Sequence, residues 1–156
     1  MAGAWKPGRE TIAALIDRRH LERISGDAAN GTYLLREATR RLSGARAALD
    51  ADPAGAFALA YDALRQAVTA VLVQQGLRPR SEGGHIAVVE AAQAQFGDVF
   101  APLNSMRRVR NQLEYPRNPS DLDVDRADAQ GAISTAQQLI EAVERLMPEL
   151  GMWQMD

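Results

Sequence analysis

Between Asp52 and Gly76 the sequence repeats large apolar side chains at alternating steps of four and three: Phe57, Tyr61, Leu64, Val68 and Val71. At 3.6 residues per turn this spacing puts all five on one face of a helix. Asp52 followed by Pro53 reads as an N-cap and first helical position, and Gln75-Gly76 as a stop. A helix this long and apolar must bury its stripe against other elements, and the rest of the chain offers more helices.

A short helix is expected over Arg9 to Ile24, ended by Ser25-Gly26-Asp27, and a second from about Asn30 to Asp50 with Leu34, Ala38, Leu42, Ala45 and Leu49 inward. Arg78 to Gly84 reads as a loop, Ile86 to Phe96 as a short helix, and Pro102 to Tyr115 as the next. Pro116 closes that helix, because a proline disfavours helical geometry in the residue before it. The last helix is expected from about Leu122 to Met147, with Ile133, Ala136, Ile140 and Val143 in its stripe. β-Branched residues never cluster as strands require. The fold class is all-α: a four- to five-helix up-down bundle over residues 30–156, with an N-terminal helix and linker over 1–29. Short connections make sequential helices antiparallel neighbours.

The chain has no cysteine, which removes disulfides, thiolate metal sites and thiol nucleophiles and fits a reducing compartment. The opening Met-Ala-Gly-Ala-Trp lacks the apolar run of a signal peptide, and no stretch of about eighteen apolar residues suggests a membrane span. A cytoplasmic location without membrane partners is expected. Residues 118–156 carry eight acidic and two basic side chains, whereas 1–117 carry sixteen basic and twelve acidic, all but Lys6 of the basic ones arginine. Attraction between the halves of a folded bundle accounts for this pattern. A basic face toward nucleic acid is compatible with it.

Several signals fail on chemistry. Asp121, Asp123 and Asp125 imitate a calcium loop, but Arg126 and Ala132 stand where its glycine and bidentate glutamate belong. A di-iron bundle needs Glu-x-x-His pairs, which neither His20 nor His85 supplies. There is no phosphate-binding P-loop and no serine elbow. No metal and no cofactor is expected.

Met106-Arg-Arg-Val-Arg-Asn-Gln-Leu-Glu-Tyr-Pro116 survives these tests. On a helical projection Leu103, Met106, Val109 and Leu113 form an apolar arc that contains Arg110, with Arg107 and Glu114 at its edge. Guanidinium is rarely buried unpaired. Arg110 therefore either pairs with Glu114 one turn on, fixing register, or faces a cleft or partner subunit and holds phosphate. Arg107 and Arg108 would add phosphate contacts.

This segment resembles the signature of the HEPN superfamily, in which an Arg, often followed by Asn, precedes a His by four to six intervening residues at the end of a late helix. Arg110-Asn111 supplies the first part. Ala60-Tyr-Asp-Ala-Leu-Arg65 and Gly83-Gly84-His85 also look like HEPN domains, and the likeness in helix order spans roughly residues 30–147. The resemblance implies a homodimeric helical bundle. It further implies RNA or nucleotide phosphate as ligand, metal-independent RNase chemistry in many members, and a toxin–antitoxin or defence setting with an antitoxin or nucleotidyltransferase partner. Here Tyr115 stands at the first permitted histidine position, and no histidine follows in the window. Tyrosine, with a pKa of about 10, makes a poor base at neutral pH.

The leading expectation is a dimer that binds RNA or nucleotide phosphate through Arg107, Arg108, Arg110 and Asn111 without the family's histidine-dependent cleavage. A second is an active RNase in which Glu114, Tyr115 or His85 replaces the base. A third is an interaction module whose arginines serve internal ion pairs. Asp62 is expected as a second partner of Arg110. Tyr115 resembles, at a shifted register, the tyrosine that accepts AMP in some HEPN systems. Met152, Trp153 and Met155 are expected to cover the bundle end or a partner.

Overall fold

A computed structural model of the chain describes residues 5–81 and 83–154. Its elements run α1 (Arg9–Asp17), β1 (Leu21–Arg23), α2 (Thr32–Ala48), α3 (Pro53–Gln74), β2 (Leu77–Pro79), α4 (Gly84–Phe96), α5 (Ala101–Glu114) and α6 (Arg126–Leu146). The chain is an all-α bundle with one small two-stranded sheet.

Helix α3 is its axis and packs against α2, α4, α5 and α6. Asp52 caps it, accepting from the Gly55 N–H at 2.9 Å, with Pro53 in the first turn. The expected stripe is inward, and Ala56, Ala60, Ala63 and Ala67 are buried as well. Those small side chains let neighbours approach on several sides, so α3 is enclosed rather than half-solvated. By length and apolarity it could cross a bilayer, yet 67 % of its most apolar stretch is buried in the bundle. The closest approach is at Gly31, where an added Cβ would sit 2.1 Å from the Ala70 carbonyl oxygen. The Gly31 N–H donates to Gln74 Oε1 at 3.0 Å, which fixes the start of α2 against the end of α3.

Three boundaries differ from the sequence reading. Helix α1 stops at Asp17, and the chain leaves it through Arg19 at φ 63°, the one non-glycine positive φ among the described residues. The following residues pair antiparallel with β2, Leu21 against Pro79 and Glu22 against Arg78. This long-range pairing buries Leu21 and Leu77, a gain that continuing the helix would forgo. Part of the expected 78–84 loop is thus strand. Helix α6 starts at Arg126 rather than Leu122, because Asp125 and Asp128 form a reciprocal capping box. Asp121 instead accepts from the Arg117 N–H at 2.9 Å in the preceding turn.

The N-terminal segment shares the core, with Ile12 and Leu15 on α1 buried and α1 packed on α4. Trp153 is buried over the end of α3, its backbone N–H donating to the Gln75 carbonyl at 2.9 Å, and its backbone bridges that of Trp5. Met155 lies outside the described residues. Gln75 and Gln95 exchange two side-chain hydrogen bonds, 2.6 and 3.0 Å, in the buried interior. That reciprocal pair locks α4 to the end of α3 and thereby sets the direction in which α4 presents its first turn.

Candidate functional site

That first turn carries His85. Gly83 precedes it at φ 73°, and a Cβ there would meet the His20 ring at 2.7 Å, so this position takes glycine for both backbone and space. Helix α5 crosses nearby with Leu103 and Met106 buried and Val109 and Leu113 packed on the core. This anchoring presents Arg107, Arg110, Asn111 and Glu114 to a cleft of about 280 Å³ whose other walls are Tyr61, Asp62, His85 and Ile86. Six side chains singled out in the sequence, from three separate helices, thus meet in one place.

Arg110 reaches Glu114 one turn on, Nη1 to Oε2 at 2.5 Å, while its Nε is buried with no partner among the described residues. Its side chain is 28 % exposed and that of Glu114 47 %. The pair therefore lines an open cleft and is not sealed in the core. Solvent-accessible i,i+4 pairs contribute about 0.3–0.5 kcal/mol, so a phosphate can compete for this guanidinium. Arg107 is held by a neutral group, its Nε and Nη2 donating to Asn104 Oδ1 at 3.2 and 3.0 Å. It keeps its full charge toward the cleft.

Asp62 lines the cleft but forms no ion pair with Arg110 among the described residues; the expected second partnership is not made. Its carboxylate instead acts through the field, favouring the charged form of His85. Against it, burial first and then the Arg65 and Arg110 guanidinium groups push the His85 pKa below the ordinary imidazole value, the downward influences prevailing. The imidazole is thus more fully neutral at pH 7 than an ordinary histidine and can accept a proton. Burial raises the Tyr61 pKa, opposed by Arg65, Arg107 and Arg110, so its phenol stays protonated as a donor.

Two expected site residues lie elsewhere. Arg108, two positions from Arg110 and so on the far side of α5, lines a different cleft with Asp98, Phe100 and Asn104. Tyr115 is 73 % exposed beyond the last helical residue and lines a third cleft with Arg117, Asn118 and Asp121. Asn111 is the wall between that cleft and the one holding Arg110. The HEPN domain family model matches residues 32–146. The chain belongs to the HEPN family. No curated protein and no solved structure matches it significantly. HEPN membership puts the chain among proteins of nucleotide- and RNA-related function, and its Arg-Asn pair stands at the cleft just described. The sequence reading placed Tyr61 in the core stripe and Arg65 in a family-like segment but gave neither a role at the site; both flank Asp62 on α3. A charged pair three residues apart in the most apolar helix of the chain was the signal available for Arg65.

Proposed function

We propose that this HEPN protein acts as a homodimer that binds RNA or nucleotide phosphate through Arg107, Arg110 and Asn111, without the family's histidine-dependent nuclease activity. Convergence carries the reading: two arginines, an amide, a neutral imidazole and a phenol O–H face one cleft. Arg107 and Arg110 supply charge-assisted donors for phosphate oxygens, and Asn111 a neutral one. Glu114 acts as a resident competitor that a phosphate displaces. An internal ion-pair module does not need an open cleft, which weighs against the third expectation. A toxin–antitoxin or defence setting, with an antitoxin or nucleotidyltransferase partner, fits the family.

A second reading rests on His85. If this chain cleaves RNA, His85 is the base, because it lies in the arginine cleft with its pKa held down. Glu114 is tied to Arg110, and Tyr115 lies behind Asn111. The base would take the 2′-OH proton as that oxygen attacks phosphorus. The P–O5′ bond breaks and the 5′-oxygen leaves, taking a proton from the imidazolium or from water. This gives a 2′,3′-cyclic phosphate and a 5′-OH, with the arginines stabilising the phosphorane charge.

The test is fluorescence anisotropy of a labelled single-stranded RNA with the wild type and Arg110→Ala over a sodium chloride series, with cleavage followed in EDTA. Salt-sensitive binding that Arg110→Ala removes, with no products, is the expected result. Wild-type protein that binds no RNA or nucleotide sinks the proposal. Products that vanish in His85→Ala move the assignment to the second reading.

A further inference from the structure

On the other side of His85 lies a larger cleft of about 410 Å³, bounded by α2, α3, β2 and the start of α4. Its charged and polar walls are Arg65, Arg78, Arg80, His85, Thr69 and Ser81, and Tyr33, itself more than half exposed, lines it as well. No carboxylate lines it among the described residues, in contrast to the Arg110 cleft, where Asp62 and Glu114 balance the two arginines. Arg78 and Arg80 share a single described counter-charge, Glu22 on β1, and Arg65 has a buried Nε with no partner among the described residues. The β1–β2 pairing aligns Glu22 with Arg78, so Arg80 reaches the same carboxylate only at 3.5 Å. Three guanidinium groups and one aromatic ring thus surround a space of ligand size.

We propose that this cleft is a second nucleotide position for single-stranded RNA: a base stacks on Tyr33 while Arg65, Arg78 and Arg80 hold the adjoining phosphates. It rests on the phosphate-binding reading of the Arg110 cleft and extends it, since His85 lines both clefts and a strand seated on Arg107 and Arg110 continues past it. A stacking ring beside a cationic groove is how sequence-tolerant single-strand binding is built. A duplex keeps its bases stacked on each other and cannot offer one to Tyr33, so the occupant is unpaired RNA. Tyr33 follows two residues after the Gly31 approach, so its backbone is fixed against the end of α3 while its ring stays exposed for a base.

The experiment measures anisotropy of a labelled six-nucleotide single-stranded RNA with the full chain carrying Tyr33→Ala, Tyr33→Phe, Arg80→Ala or Arg110→Ala, each checked for helicity by circular dichroism. Tyr33→Ala weakens binding by on the order of tenfold, because one stacked base contributes about 1–3 kcal/mol and 1.4 kcal/mol is tenfold. Tyr33→Phe, which keeps the ring, restores it. Arg80→Ala reduces the log–log salt slope by about 0.7, one single-strand phosphate contact. If Tyr33→Ala and Arg80→Ala bind as the wild type while Arg110→Ala is weakened, the second position is overturned and the first stands. If the Tyr33 and Arg80 variants are weakened and Arg110→Ala is not, the second position holds and the phosphate reading of the Arg110 cleft falls. A wild type that does not bind the hexamer overturns both.

Discussion

His85 at the start of α4 and Arg110 near the end of α5 line one cleft, and the Arg110 charge adds to burial and to Arg65 in holding the imidazole below its ordinary pKa. The relationship gives the cleft a titrating group whose state reports on whatever charge enters it. Arg110 opposes protonation of His85 whereas a bound phosphate favours it, so ligand binding and pH are coupled.

That coupling has a definite sign. The free-state midpoint of His85 lies below the ordinary 6.5, and a bound phosphate moves it up. Affinity therefore rises as pH falls through the bound-state midpoint and levels off below the free-state one. Proton NMR of the His85 ring should show a midpoint under 6.5 in the wild type. It should shift upward both on addition of inorganic phosphate and in Arg110→Ala, where a repelling cation is lost. A midpoint unmoved by Arg110→Ala would put the two side chains out of each other's field.

Glu114 offers the opposite lever. If the Arg110–Glu114 pair is a competitor for ligand, Glu114→Gln frees the guanidinium and strengthens RNA binding by at least about twofold, the equivalent of one exposed i,i+4 pair. If the pair instead organises Arg110 for binding, the same variant weakens it. Titration of one labelled RNA against both proteins at fixed salt separates these outcomes.

The sequence revealed the bundle better than it revealed the cleft. The period-3.6 stripes of α2, α3 and α6 were legible because each buries a continuous apolar face. The β1–β2 pairing was not, because Leu-Glu-Arg and Leu-Arg-Pro are too short to show any period and lie on either side of α2 and α3. Arg110, Asn111 and Glu114 could be singled out from one helix and a family likeness. Asp62 and His85 could be named as candidates, but only the folded chain shows them in the same cleft, His85 through the Gln75–Gln95 lock and the Gly83 turn that set α4. Arg108 and Tyr115 were grouped with the site by nearness in sequence, but one sits across the helix and the other beyond its end.

Gly31 tests the packing that carries Tyr33. A Cβ at this position collides with backbone, the Ala70 carbonyl, rather than with a side chain that could turn away. Gly31→Ala should therefore destabilise the protein by about 1–3 kcal/mol, the usual range for overpacking, measured by urea unfolding. An unchanged midpoint would show that α2 and α3 are less closely apposed than described.

The last prediction concerns Tyr115→His, which restores a histidine at the first motif position. In a chain that had merely lost its base, such a replacement should recover part of the roughly 10²–10⁴-fold that general-base catalysis contributes. Tyr115, however, lies past the last helical residue of α5, largely exposed, in a cleft separated from Arg110 by Asn111. An imidazole there meets Arg117 and Asp121 as its neighbours, not the arginines that would stabilise a phosphorane. Tyr115→His should accordingly leave EDTA-resistant cleavage of labelled RNA within about tenfold of the wild type, well short of what a positioned general base contributes. A larger gain, with 2′,3′-cyclic phosphate ends, would mean that residue 115 reaches an Arg110 after all, either by movement of the α5 end or from a second copy. Dependence of the rate on protein concentration would tell those two routes apart.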